Sequence, residues 1–441
     1  MTITLNYQYA SWLFTTLSKF IPKKPYMTII ESCVFEVHPK MVVVRATNIY
    51  DEIRIKLPQS EYGRSSNEEA SFCVPVKELV DILKDCKGSS SVSITPVEDR
   101  LHITIDGMEQ RIQTENPDEF PGKLAFASES IASYKVEKEY LYDALDKCYP
   151  FTCNDELRPA MNGVNFEFDS NDSSFKAIAT NAHFICVKKH ELSFVDKFNE
   201  KFSRTRVVDQ VSEEFEDAEG NKQVKWTSIY SNPFISFILN RDMTMFFCYL
   251  FLKTKSKNKT APVNITHYRE GTLDMVDFLY QTESYGAIRI ITRCIESRFP
   301  EYPAVIPDKK EVNAVVTVQS TALQNAIKKV KGAAEQKIGK VVFTFTEHFI
   351  ELLAEDINLG KSATFKFQPL AARLNSEAKG NTTYVPGQPF QIAFNYKLLL
   401  TLLENFEEVD IYLFSATKGA AFYDRYDHSS MALLMPLLLE A

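Results

Sequence analysis

The chain has 441 residues, of which 45% are hydrophobic and 24% are charged. This composition is typical of a folded globular protein and excludes a disordered chain, a collagen and a disulfide-stapled miniprotein. The length predicts about two to four domains. Fifty basic and 58 acidic side chains give a formal net charge of -8, so any contact with nucleic acid must depend on local positive charge.

Short helical segments recur along a chain that is otherwise rich in strands. Apolar residues at helical spacing predict helices at Tyr7–Phe20, Pro75–Cys86, Glu137–Tyr149, roughly Pro233–Leu239, Thr321–Lys331 and Asn395–Phe406. Alternating or β-branched runs predict strands between them, among them Met41–Ala46, Glu52–Leu57, Ser91–Thr95, Leu101–Ile105, Val164–Phe168, Ala287–Arg293, Val341–Phe345, Phe349–Ala354, Ala363–Phe367 and Val409–Phe414. One helix followed by about four strands recurs along the chain, which indicates internal repetition.

Two Phe-Pro segments, Asn116–Pro121 and Arg298–Pro303, suggest where the larger blocks end. They divide the chain into domains 1–128, 129–310 and 311–441, each with two helix-plus-sheet repeats, so the predicted class is α+β. The middle block is the longest, with insertions expected near 195–228 and 253–262. Its acidic run 209–222 and its lysine run 253–259 are both predicted to be loops or hairpin tips rather than core, and contact with phosphate is the alternative for the lysines.

The common signatures of catalysis and of metal or nucleotide binding do not occur in this sequence. It contains no GxxxxGK[ST], GxGxxG, HExxH or GxSxG segment, and its eight cysteines and seven histidines are dispersed. We therefore expect no metal, no cofactor and no catalytic residue. Free thiols and the lack of a secretion signal at the N-terminus predict a cytoplasmic location, and no apolar stretch is long enough to cross a membrane.

Four segments, in this order, resemble the bacterial sliding clamp, the beta subunit of DNA polymerase III. They are Phe72–Leu79, Arg158–Val164 followed by Ala177–His183, Arg298–Tyr302 followed by Val305–Pro307, and Leu433–Leu439. The chain departs from the family pattern at Asn181-Ala182, where the family has Asp-Gly, and at Phe184 and Leu438, where it has Arg. The resemblance therefore indicates a divergent member with a changed groove rim, which would favour partner peptides with apolar flanks.

The resemblance implies a processivity factor rather than an enzyme. Two chains of three similar domains would form a ring, with helices lining the hole and sheets outside. The ring would encircle double-stranded DNA, slide without sequence preference and tether the replicative DNA polymerase. Further implied partners are the clamp loader, other proteins that carry a clamp-binding peptide and a second copy of the chain, but no membrane.

The resemblance and the polar helix faces together give three sets of site residues. Residues predicted to contact DNA are Lys23, Lys24, Lys77, Lys84, Lys87, Lys138, Lys147, Arg241, Lys328, Lys331 and Lys397. Residues predicted to line a groove for partner peptides are Met161, Thr180, His183, Phe184, Ile185, Pro300, Val305, Leu433, Met435, Pro436 and Leu437. The predicted dimer interface is an edge strand with Gln110, Arg111, Ile112 and Gln113, which would pair with a strand around Ala333–Lys337.

Two other functions remain open from the sequence alone. A β-rich cytoplasmic enzyme, for example one acting on carbohydrate, would need carboxylates that converge in a cleft. A scaffold protein without a role on DNA is the second alternative. Neither has a motif in the sequence that favours it.

Overall fold

The computed structural model describes residues 1–126, 129–169, 173–216, 222–254, 262–380 and 384–439, and for 208–216, 222–227, 229 and 230 it describes the backbone alone. Residues 255–261 lie outside these ranges, and they hold most of the lysine run 253–259 and most of the insertion expected near 253–262. The chain divides into two compact units. Unit 1 comprises 1–142, 167–174 and 191–296, and unit 2 comprises 143–166, 175–190 and 297–441.

The described residues contain six α-helices, and side chains at the N-caps position several of them. The helices are α1 Tyr7–Phe20, α2 Val76–Asp85, α3 Lys138–Cys148, α4 Arg241–Lys253, α5 Ser320–Val330 and α6 Tyr396–Leu403. The Asn6 side chain accepts hydrogen bonds from the backbone N–H of Gln8 and Tyr9 at the start of α1. The side chains of Asn240 and Asn395 cap α4 and α6 in the same way. Such caps satisfy backbone donors that have no partner within the helix.

Five of the predicted helices are confirmed and the fourth is wrong. Residues Phe234–Asn240 form a buried strand, and the helix begins only at Arg241. A continuous apolar run of this length is compatible with either a buried strand or a helix. Asn240 decides the boundary, because its side chain caps the helix that follows.

Strands make up most of the remaining fold. They are β1 Ile3–Asn6, β2 Ser32–His38, β3 Met41–Thr47, β4 Asp51–Lys56, β5 Tyr62–Arg64, β6 Ala70–Pro75, β7 Ser91–Val97, β8 Arg100–Ile105, β9 Met108–Gln113, β10 Ser130–Val136, β11 Gly163–Asp169, β12 Ser174–Thr180, β13 Phe184–Glu191, β14 Phe194–Phe198, β15 Val207–Glu216, β16 Lys222–Tyr230, β17 Phe234–Asn240, β18 Val263–Glu270, β19 Leu273–Thr282, β20 Gly286–Arg293, β21 Ala314–Gln319, β22 Lys340–Phe345, β23 Ile350–Asp356, β24 Lys361–Phe367, β25 Ala371–Leu374, β26 Phe390–Asn395, β27 Glu408–Leu413, β28 Ala420–Asp424 and β29 Ser430–Leu434. All ten predicted strands fall on observed ones.

Unit 1 packs its helices against antiparallel sheets. One sheet has the order β5-β1-β7-β8-β9, and a second has the order β14-β10-β18-β19-β20-β4-β3-β2-β6. The insertion predicted near 195–228 contains β14 and the two-stranded ribbon β15-β16. Helix α1 packs beside α2 and α4. The rings of Phe20 on α1 and Phe246 on α4 are arranged edge to face, with their centroids 5.2 Å apart. The apolar stripe of α1, which includes Leu13, Phe14 and Leu17, is fully buried.

Unit 2 has the same kind of layers. Strands β11-β12-β13-β29-β28-β27-β21-β25 follow one another in one sheet, and β24-β23-β22-β26 form another. Helix α5 packs beside α6. Leu323, Ile327 and Val330 of α5 are buried, as the sequence pattern predicts. The C-terminal strand β29 is central in its sheet, since it pairs with β13 on one side and β28 on the other.

Candidate functional site

A tight turn before β13 shapes one border of the predicted groove. The Asn181 side chain accepts hydrogen bonds from the backbone N–H of His183 (3.0 Å) and Phe184 (3.2 Å). Thr180 Oγ1 donates to the Phe184 carbonyl at 2.9 Å. The turn places Ala182 at a φ of 75°, in the left-handed region that glycine adopts without strain. The turn therefore keeps its shape although alanine occupies the position at which the family pattern has glycine.

The C-terminal segment leaves β29 beside this turn. Phe184 pairs with Leu434 in the antiparallel ladder, and the Met435 N–H donates to the His183 carbonyl at 2.9 Å. Two residues later the Leu437 N–H donates to the Ala393 carbonyl at 2.7 Å. A Cβ on Gly419 would lie 3.1 Å from Met435 Sδ, so this glycine leaves room for the methionine. These contacts hold His183 and Met435 side by side at the surface of unit 2.

The predicted groove residues separate into a surface set and a buried set. Met435 is 39% exposed, and Val305 is 50% exposed. His183 is also exposed, and the remaining surface residues are partly exposed: Met161, Pro300, Pro436 and Leu437. Thr180, Ile185 and Leu433 are buried, so they support the surface from beneath. Met161 and Pro300–Val305 lie in or beside separate short 3-10 helices of the same unit.

The expectation for Phe184 is corrected by the structure. Its side chain is 3% exposed and stacks on Phe151 with ring centroids 4.3 Å apart. It therefore belongs to the core of unit 2 and offers no rim surface to a peptide. Leu438, the other position at which the family has Arg, is 72% exposed. Of the two substitutions, only Leu438 presents an apolar side chain to solvent.

A buried lysine connects three segments behind this surface. Lys188 Nζ on β13 lies 2.5 Å from Asp427 Oδ2, in the turn before β29, and 3.2 Å from Asp143 Oδ2 of α3. His190 Nε2 lies 2.8 Å from the same Asp143 oxygen, and Lys147 Nζ lies 3.6 Å from the other. Burial raises the pKa of Asp143, but hydrogen bonds and nearby positive charges outweigh it and lower the pKa to about 2. We call Lys188, Asp143, Asp427, Lys147 and His190 the Lys188 cluster.

Burial also affects the pKa of two other members of this cluster, Asp427 and Lys188. It raises the pKa of Asp427, but hydrogen bonds from Lys188 and Ser429 outweigh this effect and lower it. It lowers the pKa of Lys188, but the Asp427 and Asp143 carboxylates reverse the effect and raise it. The three groups therefore hold one another in their charged forms.

Most of the basic residues predicted to contact DNA are exposed. In unit 1 these are Lys23, Lys24, Lys77, Lys84 and Lys87, and Arg241 at the start of α4 is partly exposed. In unit 2, Lys328, Lys331 and Lys397 are exposed, and Lys147 is partly exposed. Lys84 Nζ lies 2.8 Å from Asp81, which neutralises part of its charge. Lysines on α2, α5 and α6 therefore face solvent, as the polar helix faces predict.

Lys138 is the exception, and its assignment to the DNA-contacting set is wrong. The residue is buried, and its Nζ donates to the Thr254 carbonyl at 3.4 Å. The same atom lies 5.8 Å from the centre of the Tyr280 ring. These contacts place the ammonium inside unit 1, away from a phosphate in solvent.

Two edge strands bear on the predicted dimer interface. Gln110–Gln113 lie on β9, which is the last strand of its sheet, and Gln110, Arg111 and Gln113 are exposed. Residues 333–337 form no strand, because Ala333 ends a short 3-10 helix and Ala334 begins a loop. The expected strand partner at Ala333–Lys337 is therefore wrong. The exposed edge in this part of the chain is β24.

Comparison with known protein families finds a match in the C-terminal third of the chain. Residues 304–438 match the family model for the DNA polymerase III beta subunit, C-terminal domain. A curated relative, the beta sliding clamp of Haemophilus influenzae, is 19% identical over 167 residues. That match spans 38% of this chain and 43% of the relative, less than half of the relative's length.

Solved clamp structures share the fold over the whole chain. The DNA polymerase III beta subunit of Thermotoga maritima matches with a TM-score of 0.75 and 19% identity, covering 99% of both chains. A Pseudomonas aeruginosa sliding clamp bound to griselimycin matches with a TM-score of 0.77 and 14% identity, covering 100% of both. The beta subunit from the DNA polymerase of Streptococcus pyogenes matches with a TM-score of 0.76 and 15% identity, covering 99% of this chain and 100% of that one. The predicted resemblance and fold class are confirmed.

Several residues that hold this surface and the Lys188 cluster together escaped the sequence reasoning. Gly419 and Ala393 contact the Met435–Leu437 segment, and Lys188 binds Asp427 across 239 positions of sequence. Only the Asn181 turn had a local signal, since asparagine is common where a side chain caps a turn. Within the described ranges, no group of histidine, cysteine and acidic residues could hold a metal ion. No helix in the described part of the chain has the length and apolar character to span a membrane.

Proposed function

We propose that this chain is a DNA polymerase processivity factor: a ring-shaped dimer of three-domain chains that encircles duplex DNA and tethers polymerase and other proteins. The proposed domains are 1–128, 129–310 and 311–441. The observation that carries the proposal is the clamp fold over the full length of the chain, at TM-scores of 0.74–0.77. The proposed location is the cytoplasm, and the proposed activity is mechanical rather than catalytic.

The exposed lysines supply the attraction that a sliding ring needs. Contacts between lysine and phosphate are independent of sequence and weaken as salt rises, because binding releases counterions from the DNA. Lys24, Lys328 and Lys331 are exposed, so their ammonium groups can reach a phosphate. Changing all three to Glu should reduce retention on DNA. The matched control changes Lys40, Lys201 and Lys310, which are also exposed, to Glu and should leave retention unchanged.

The surface formed by His183, Met435, Pro436 and Leu437 is the proposed docking site for partner peptides. An exposed methionine beside aliphatic and proline side chains forms an adaptable apolar surface that suits a Leu or Phe anchor. With Phe184 in the core, the altered flank preference depends on Leu438 alone. A peptide with an apolar flank would contact Leu438, whereas an acidic flank would find no cation there.

A peptide titration tests this docking site. Met435→Ala should weaken binding of a clamp-binding peptide by about 2 kcal/mol or more, as expected for loss of a central contact. Val97→Ala is the control, because Val97 is similarly exposed on β7 of the other unit. Griselimycin, which the Pseudomonas aeruginosa clamp binds, provides a second probe. Undiminished affinity of the Met435 variant would place the docking site elsewhere.

Ring closure would join β9 of one chain to β24 of a second chain. Both are edge strands, and pairing would give their free backbone groups hydrogen-bond partners and remove two exposed edges. Light scattering should therefore give twice the chain mass of 50.4 kDa. Ile112→Asp on β9 should shift the protein towards monomer, whereas Thr104→Asp on the neighbouring β8 should leave the dimer intact. A stable monomer of the unmodified protein would contradict the ring.

A further inference from the structure

A small pocket lies in unit 1, between the loop that follows α1 and the start of α2. Its volume is about 250 Å³, and its apolar wall is formed by Ile21, Pro22 and Val76. This is smaller than the roughly 300–1,000 Å³ of sites for drug-sized ligands. An apolar wall of this size suits a single flat ring system.

Three charged side chains surround the same pocket. Lys23, Lys77 and Glu31 also line the pocket, and all three are exposed. Because all three are exposed, their charged groups can reach a ligand in the pocket. Two ammonium groups suit a phosphate, whereas a carboxylate accepts hydrogen bonds from N–H donors. A ligand that carries both a phosphate and N–H donors matches this combination.

The loop beside the pocket also exposes an aromatic ring. Tyr26 is 84% exposed, three positions after Lys23. Exposed aromatic rings among lysines are the recurring feature of surfaces that bind single-stranded nucleic acid, because unpaired bases stack on the ring and phosphates meet the lysines. A paired base has its donors engaged and its faces covered, so only an unpaired base could use this site.

We infer that this pocket and Tyr26 bind an unpaired nucleotide of single-stranded DNA, an inference that rests on the proposed clamp function. The phosphate lies between Lys23 and Lys77, the base packs on the apolar wall, and Tyr26 stacks on the neighbouring base. Glu31 accepts hydrogen bonds from the base edge. Guanine is favoured, because it presents two adjacent N–H donors that one carboxylate can accept together.

Fluorescence anisotropy with labelled nine-nucleotide strands tests the inference. One strand is thymidine with a single central guanine, and the other has an abasic residue at that place. The full-length protein should bind the guanine strand several-fold more tightly. Tyr26→Ala should weaken binding of both strands about tenfold, as loss of one stacked base does. Free dGMP as competitor distinguishes recognition of a nucleotide in a strand from recognition of the free nucleotide.

Glu31→Gln separates this site from general attraction of DNA to lysine. If the lysines act only through charge, removing a negative charge strengthens binding of both strands equally. If the pocket reads the base, the preference for guanine falls to near one. Lys40→Gln, at an exposed lysine of the same unit outside the predicted DNA-contacting set, should leave the preference unchanged. Equal binding of guanine and abasic strands by the unmodified protein, or a preference that survives Glu31→Gln, overturns the pocket. Salt-dependent retention on duplex DNA would still stand in that case.

Discussion

Replacing Lys188 with methionine should destabilise unit 2 strongly. Methionine keeps the length of the buried side chain but removes the ammonium that lies 2.5 Å from Asp427 and 3.2 Å from Asp143. Removing one partner of a buried ion pair costs about 3–5 kcal/mol, because the remaining charge is left without compensation. Here the orphaned carboxylates have some access to water, and Asp143 keeps His190 and Lys147. We therefore expect a loss of about 3 kcal/mol, at the low end of that range.

Urea unfolding followed by far-ultraviolet circular dichroism measures the free energy of unfolding, and amide exchange locates the change. Exchange should accelerate in β13 and β29, which Lys188 and Asp427 connect. Both tryptophans, Trp12 and Trp226, lie in segments of unit 1. Tryptophan fluorescence therefore reports on unit 1 and provides an internal reference.

Lys84→Met is the matched control for this variant. Lys84 also forms an ion pair, 2.8 Å from Asp81, but both side chains are mostly exposed. Exposed pairs contribute about 0–1 kcal/mol, so the control should be nearly neutral. Equal effects of the two variants, or a Lys188 variant as stable as the unmodified protein, would refute the reasoning about burial.

Three further outcomes follow from the same contacts and from backbone geometry. The pKa of Asp143 in the folded protein is lowered to about 2. Its stabilising contribution is therefore complete above its unfolded pKa of about 3.9 and is lost as the pH falls towards 2. The difference in unfolding free energy between the unmodified protein and the Lys188 variant should shrink across that pH range. Ala182→Gly should raise stability by up to about 1 kcal/mol in thermal unfolding, because relief of left-handed strain of about 1–2 kcal/mol exceeds the added entropy of the unfolded chain; a lower melting temperature would contradict this. Gly286→Ala should cost about 2 kcal/mol or more in urea unfolding, because its φ is 80° and a Cβ would lie 2.0 Å from the Lys56 carbonyl oxygen. Gly122→Ala, where a Cβ meets nothing within 4 Å, should change stability by less than about 0.5 kcal/mol.

Local sequence patterns predicted the elements well where the pattern had one interpretation. Helix α1 was predicted with its exact bounds, because its apolar stripe has helical spacing and Asn6 stands at its start. The run 234–239 has no such pattern, since every side chain is apolar or small and both faces of the strand are buried. The helix that follows contains several aromatic residues with low intrinsic helix propensity, which hid it.

Burial of individual side chains depended on contacts distant in sequence, and this part could not be predicted. Lys138 looked like a polar-face lysine, but Thr254, 116 positions away, accepts its hydrogen bond. Phe184 follows an exposed turn, yet it enters the core because Phe151 provides a ring to stack on. The family pattern placed the predicted groove residues on and beside β13 and β29, which pair with each other in the structure. The structure was needed to separate the side chains at its surface from those beneath.

Retention on circular DNA tests the central claim, that the protein holds DNA by encircling it. The unmodified protein is loaded onto a nicked circular plasmid with its clamp loader and ATP, purified by gel filtration, and then the plasmid is cut once. A ring that slides without sequence preference should stay on the circle at moderate salt and leave through the ends after linearisation. Equal retention on circular and linear DNA, or loss from both in the same proportion, would contradict topological binding.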